Sequence, residues 1–194
     1  MFAKIARSLT LWLKKHDAIE AELQDAYEYA IFNILHIIVP ICIVICMGIA
    51  MNIFLESLLL FLPFLLIRKY SGGYHMKTAR RCLIGTSIML FLCIIMARHL
   101  QVGFLFVMLV SFGVISLMIN SPIDSDNRRL TTEEKEYCHK KAIRISAFCE
   151  TIFITMIAVG IPRISGFWGM GIIMSASLQV PVIIRDRFCE KIDQ

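Results

Sequence analysis

The chain has 194 residues, of which 58% are hydrophobic and 18% charged, and its formal net charge is +5. Soluble domains hold about 45–50% apolar residues. The excess here, gathered into long charge-free runs, excludes an ordinary soluble domain and describes a single-domain, all-α, polytopic membrane protein. In such a protein the positive charge speaks to topology rather than to nucleic-acid binding.

The N-terminal stretch MFAKIARSLTLWLKKHDAIEAEL has no uninterrupted apolar region beyond LTLWL, so it is not read as a cleavable signal peptide. Phe2, Ile5, Leu9, Trp12 and Leu13 recur at helical spacing, with Lys4, Arg7, Lys14 and Lys15 among them. That pattern predicts an amphipathic helix, either lying in the headgroup plane or packed on the protein's own cytosolic loops. Residues 1–30 thus form a cytosolic or interfacial amphipathic segment, 31–184 the membrane region and 185–194 a cytosolic tail.

Residues 31–67 are almost continuously apolar. As one helix they would reach ~55 Å, too long for a ~30 Å hydrocarbon core. Two spans turning near GIAMN (48–52) fit better. Four more follow at about 82–97, 102–119, 143–161 and 164–184, making six. Within the first two, Asn33, His36, Asn52 and Glu56 are expected to serve helix–helix hydrogen bonding. TTEEKEYCHKKAIRIS reads as a helix with a threonine cap and an acidic first turn. GMGIIMSAS (169–177) offers small residues for close packing, within or between subunits.

With the N-terminus inside, all of the 20 Lys and Arg residues except Arg98 and Arg163 fall on the inner side. The positive-inside rule therefore places both termini, and the basic island RKYSGGYHMKTARRC (68–82), in the cytoplasm. The seven cysteines, 42, 46, 82, 93, 138, 149 and 189, contain no C-x-x-C and no zinc spacing. Neither an H-E-x-x-H motif nor a phosphate-binding loop is present, so no metal or cofactor is expected.

The island joins His75 and Cys82 to a Gly-Gly pair and several cations. A free thiol, with a pKa of about 8.5, is mostly protonated at neutral pH, and nearby cations favour the thiolate. If 75–82 were one regular helix, the two side chains would stand ~10.5 Å apart along its axis, beyond contact. A Cys–His dyad therefore requires His75 to lie on a bend at Gly72–Gly73, folding back as the helix of Cys82 begins. Spacing alone leaves this open beside a simpler reading, a packing cysteine and a solvated histidine in a loop that fixes orientation. Arg68 has two readings as well: a snorkelling anchor, or a group that orients the site or a substrate carboxylate.

The island resembles the signature of the AgrB family, the accessory gene regulator B membrane peptidases of Gram-positive quorum sensing. The shared pattern is Arg68, Gly72, Gly73, His75 and Cys82, and NSPIDSDNRRL (120–130) resembles the family's later basic loop. The resemblance implies a cysteine endopeptidase of the bacterial cell membrane, acting at the cytoplasmic face. Its implied substrate is an AgrD-like propeptide with an amphipathic leader, a central cysteine and an acidic tail. Cys82 would be the nucleophile and His75 the base and later acid. The tail is removed through a Cys82 thioester, and the peptide's own cysteine closes a thiolactone. A homodimer is also implied. Lys77, Arg80, Arg81, Arg128 and Arg129 are topological charges first and candidate substrate contacts second. A competing reading is a non-enzymatic peptide exporter or proton-coupled transporter built on Glu56, His36 and Asn52.

Overall fold

The computed structural model of the protein describes residues 2–16, 18–73, 79–123 and 131–185, with the backbone alone at 2, 3, 21, 33, 36, 79 and 80. All named elements among these residues are helical: α1 (Phe2–Lys15), a 3-10 turn (Ala21–Leu23), α2 (Gln24–Ala50), α3 (Phe54–Ser71), α4 (Ala79–His99), α5 (Phe104–Asn120), α6 (Thr132–Ala158) and α7 (Pro162–Ser177). After a turn at Leu178–Gln179 the chain is helical again over 180–185.

Each of the six apolar runs carries one helix, α2 to α7. Gln24–Ala50, Arg81–His99 and Pro162–Arg185 are long and apolar enough to cross a membrane, and Phe104–Asn120 is a shorter apolar helix. The α2–α3 reversal falls at Met51–Asn52, within the expected stretch. Asn52 takes a left-handed conformation there, φ 55°. It thus belongs to the turn and not to the span expected to hold it, because a short amide side chain tolerates the positive φ that the reversal needs.

Residues 131–161 differ from expectation in continuity. In place of a loop helix and a separate span, α6 runs unbroken from Thr132 to Ala158. The chain holds no Gly or Pro within 132–158, so nothing interrupts the backbone ladder. Its start is as predicted. The Thr131 side chain accepts from the Glu134 amide at 3.3 Å, and the Glu134 carboxylate accepts from the Thr131 amide at 3.0 Å. This capping box satisfies two donors that a helix start leaves orphaned.

The core gathers on α7, against which α3, α4, α5 and α6 all pack. The small residues of GMGIIMSAS serve packing within the chain. Ser165 to Ile172 are buried without interruption, and the Trp168 indole donates to the Cys149 carbonyl at 2.9 Å. Phe106 meets Phe153 edge-on at 6.0 Å between ring centres. The exterior is apolar: on α5, Phe104 is 81% exposed, Leu105 82%, Phe112 70% and Ile119 71%. So much outward hydrocarbon is stable against lipid and not against water.

α1 packs on α2 and buries Ala6 and Thr10, while Leu9 and Trp12 stay exposed. Ile5 and Leu13 are half-buried, and Leu9, Leu11 and Trp12 point away from the chain.

At one end of the bundle, Arg163 at the start of α7 pairs with Glu56 of α3 at 2.9 Å. Glu56 therefore has an ionic partner beyond the helix–helix hydrogen bonding expected of it. The side chains of Asn33 and His36 lie outside the described residues.

Candidate active site

The opposite end is built from the C-termini of α3 and α5, the starts of α4 and α6, and the turn after α7. The last turn of α3 carries Arg68 and Ser71. Gly72 caps the helix with φ 67°, and Gly73 follows with φ 122°. Positive φ at two successive positions turns the chain sharply, which glycine does without a Cβ penalty. The emerging backbone then pairs with the residues after α5. Gly72 and Ile123 form a single parallel β-bridge, and the Ile123 amide donates to the Ser71 carbonyl at 3.0 Å.

Arg68 is half-buried, and its guanidinium donates to the Gly72 carbonyl at 2.5 Å. Burial disfavours the cationic form of this group, lowering its pKa, while the charge of Cys82 acts in the opposite sense. Cys82 therefore lies within electrostatic range of Arg68, and an anion at one would stabilise the cation at the other. Arg68 thus holds the bend through the Gly72 carbonyl.

Cys82 lies in the first turn of α4, which begins at Ala79. Amide groups in a first turn lack intrahelical partners and favour negative charge nearby. Cys82 is half-exposed, whereas Cys93 and Cys149, deeper in α4 and α6, are buried. Arg81 is exposed, and Arg80 is described by its backbone alone. His75, Lys77, Arg128 and Arg129 lie outside the described residues, as does Cys189, and the expected pairing of His75 with Cys82 lies outside them too.

Three polar groups join this end beyond those expected from the sequence. Gln179, fully buried in the turn after α7, donates from Nε2 to the Ser121 hydroxyl at 3.0 Å and to the Ser71 carbonyl at 3.3 Å. The His139 ring of α6 donates from Nδ1 to the Ser121 carbonyl at 2.5 Å. Gln179 does carry a sequence signal, as a lone amide within the apolar run 170–184. For Ser121 and His139, no local pattern points to the contact.

The family model for accessory gene regulator B, AgrB, matches residues 5–183. The chain belongs to the AgrB family. Among curated relatives, AgrB-like protein 2 of Clostridium perfringens strain 13 is 24% identical over 147 residues, covering 70% of this chain and 69% of its own length. An AgrB-like protein of C. perfringens strain SM101 matches to the same extent, 24% over 147 residues. AgrB-like protein 1 of strain 13 is 26% identical over 164 residues, covering 84% of this chain and 87% of its own. No solved structure matches.

In this AgrB-family chain a Cβ at Gly73 would strike the Arg68 guanidinium and stand 3.2 Å from the Leu178 carbonyl. Its φ of 122° is also one that L residues avoid. Gly73→Ala is therefore expected to expel Arg68 from the bend and, if the chain removes a peptide tail as proposed below, to lower that rate by about tenfold or more. Mass spectrometry of propeptide incubated with the detergent-purified variant measures this. An undiminished rate would show that the bend tolerates the side chain.

Proposed function

We propose that the protein is a membrane-embedded cysteine endopeptidase that matures an AgrD-like propeptide. Family membership supports a role in peptide maturation. The observation that carries the rest is Cys82: half-exposed, in a helix's first turn, and beyond the Gly72–Gly73 bend along the chain.

In this reading His75 takes the Cys82 proton, and the thiolate attacks the scissile carbonyl. The C–N bond breaks, the departing amine of the tail takes the proton back from His75, and a Cys82 thioester remains. The propeptide's own cysteine thiolate then attacks the thioester carbonyl, and Cys82 leaves as thiolate. One thioester is exchanged for another, so ring closure is close to balanced. Going directly from amide to thiolactone would be uphill. Lys77, Arg80, Arg81, Arg128 and Arg129 attract the acidic tail, while Gly72 and Gly73 shape the approach.

The reading includes six spans, cytoplasmic termini, α1 at the inner lipid surface with its exposed Leu9 and Trp12 in the headgroup region, and a homodimer. The exporter alternative rests on Glu56, His36 and Asn52. It loses support from the pairing of Glu56 with Arg163 and the placement of Asn52 in a turn.

The test is to quench wild-type protein with propeptide at early times and look for the acyl adduct. A hydroxylamine-labile mass on the peptide containing Cys82 is expected. Complete tail removal with no adduct at any time, or an adduct on another cysteine, would refute the mechanism.

A further inference from the structure

Ser71 ends α3, where carbonyls lack intrahelical donors. Its carbonyl is supplied from two distant parts of the chain, by the Ile123 amide at 3.0 Å and by Gln179 Nε2 at 3.3 Å. The same Nε2 donates to the Ser121 hydroxyl at 3.0 Å, and the carbonyl of the neighbouring Leu178 faces the bend at Gly73. Gln179, Ser71 and Ser121 are all buried.

The amide orientation is dictated, because the Ser71 carbonyl can only accept. Gln179 Oε1 is then left buried with no hydrogen-bond partner among the described residues. A buried, unpartnered oxygen is costly. A methionine or leucine would fill the same space without that cost, so packing alone does not account for an amide here. What the amide provides is a donor that ties together two backbone strands. One leads from Ser71 through Gly73 toward His75 and Lys77. The other leads from Ser121 toward Arg128 and Arg129.

We propose that Gln179 is a positioning residue of the peptidase site, whose side-chain amide ties the end of α3, with its Arg68 and Gly72–Gly73 bend, to the residues that follow α5. This rests on the peptidase reading above. Gln179 touches no reacting atom. It holds the end of α3, where Arg68 donates to the Gly72 carbonyl and from which the chain runs on to His75, and acyl transfer is sensitive to displacements of about 1 Å.

The test compares wild type, Gln179→Met, Ser121→Ala and Cys82→Ser in nanodiscs with propeptide. Tail release is normalised to the number of Cys82 sites alkylated by iodoacetamide, located by peptide mapping, and for Cys82→Ser to the amount of monodisperse protein. Gln179→Met is expected to lower kcat per titrated site by about 10–100-fold, as misplacement of a catalytic group does, with KM within about threefold. Ser121→Ala, which removes one acceptor, should lose less. In its background Gln179→Met should cost less than in wild type, because the shared bond is already gone. A residue that merely fills space would change the yield of folded protein and leave kcat per site intact.

An unchanged kcat per site in Gln179→Met overturns the proposal. If that variant does not purify, an unchanged kcat per site in Ser121→Ala does so. Cys82→Ser separates the two ideas. If it still releases the tail, the peptidase reading fails whatever Gln179 does. If it is inactive while Gln179→Met matches wild type, only the positioning role fails.

Discussion

Propeptide incubated with a Cys82→Ser variant should keep its C-terminal tail. The loss is expected to be at least about 1,000-fold, or about 4 kcal/mol on the barrier. Two effects combine. A hydroxyl is far less ionised than a thiol, so it depends on a base placed to the last fraction of an ångström. An ester formed by serine would also be a poor donor to the peptide's thiol, since passing from ester to thioester is uphill. The variant should therefore neither cleave at a useful rate nor close the ring. His75→Ala should lose about 10²–10⁴-fold, the usual contribution of a general acid–base group. Cys42→Ser and Cys46→Ser, on the exposed side of α2, serve as controls and should behave as wild type. Chromatography with mass detection of released tail reads all four. Normal release by Cys82→Ser, or equal losses at Cys42 and Cys82, would remove Cys82 from the chemistry.

The second large effect is expected far from the thiol. Gly171 lies on the buried face of α7, where a Cβ would run into the backbone carbonyl of Leu60 and stand 2.8 Å from Pro63 Cγ. A flexible side chain could move aside, but a helix backbone cannot. Gly171→Ala must push α3 away from α7, its most extensive packing partner. Leu60, Ile172 and Met174, all but fully buried, would lose contacts together. Overpacking of this kind costs about 1–3 kcal/mol where side chains can adjust, and more where backbone meets backbone. A strong fall in monodisperse protein in detergent, with a lower thermal midpoint, is expected. Gly103→Ala is the control, because a Cβ there meets open space. Equal stability of the two variants would show that α3 and α7 are less closely apposed than this packing requires.

Much of this architecture is readable from residue type, for a reason that lies in lipid. Where no water can satisfy an amide, a long apolar run must be helical, so the runs and the turn at Met51–Asn52 can be placed in advance. The Thr131 cap is equally local, a side chain and its neighbour three residues on. Long-range partners are not legible. Arg68 suggests an anchor as readily as a group holding a bend, because its choice depends on a carbonyl four residues later turning inward on two glycines. His139 reads as a mere neighbour of Cys138, yet its ring reaches Ser121, 18 residues earlier. Glu150 draws no notice, although the Ser111 hydroxyl of α5 donates to its carboxylate at 2.5 Å in the middle of α6. Periodicity names the face of a helix and is silent about what will stand opposite.

The tie from Gln179 to Ser71 spans 108 residues of chain, and this has a bearing on how the protein is made. Ribosomes deliver about 5–20 residues per second, N-terminal portions first. For several seconds after Cys82 has left the tunnel, the Ser71 carbonyl lacks its donor from Gln179, because that amide has yet to be translated. If Cys82 is the nucleophile proposed above, a half-made chain would carry its thiol before the last helix docks and completes the tie at the end of α3.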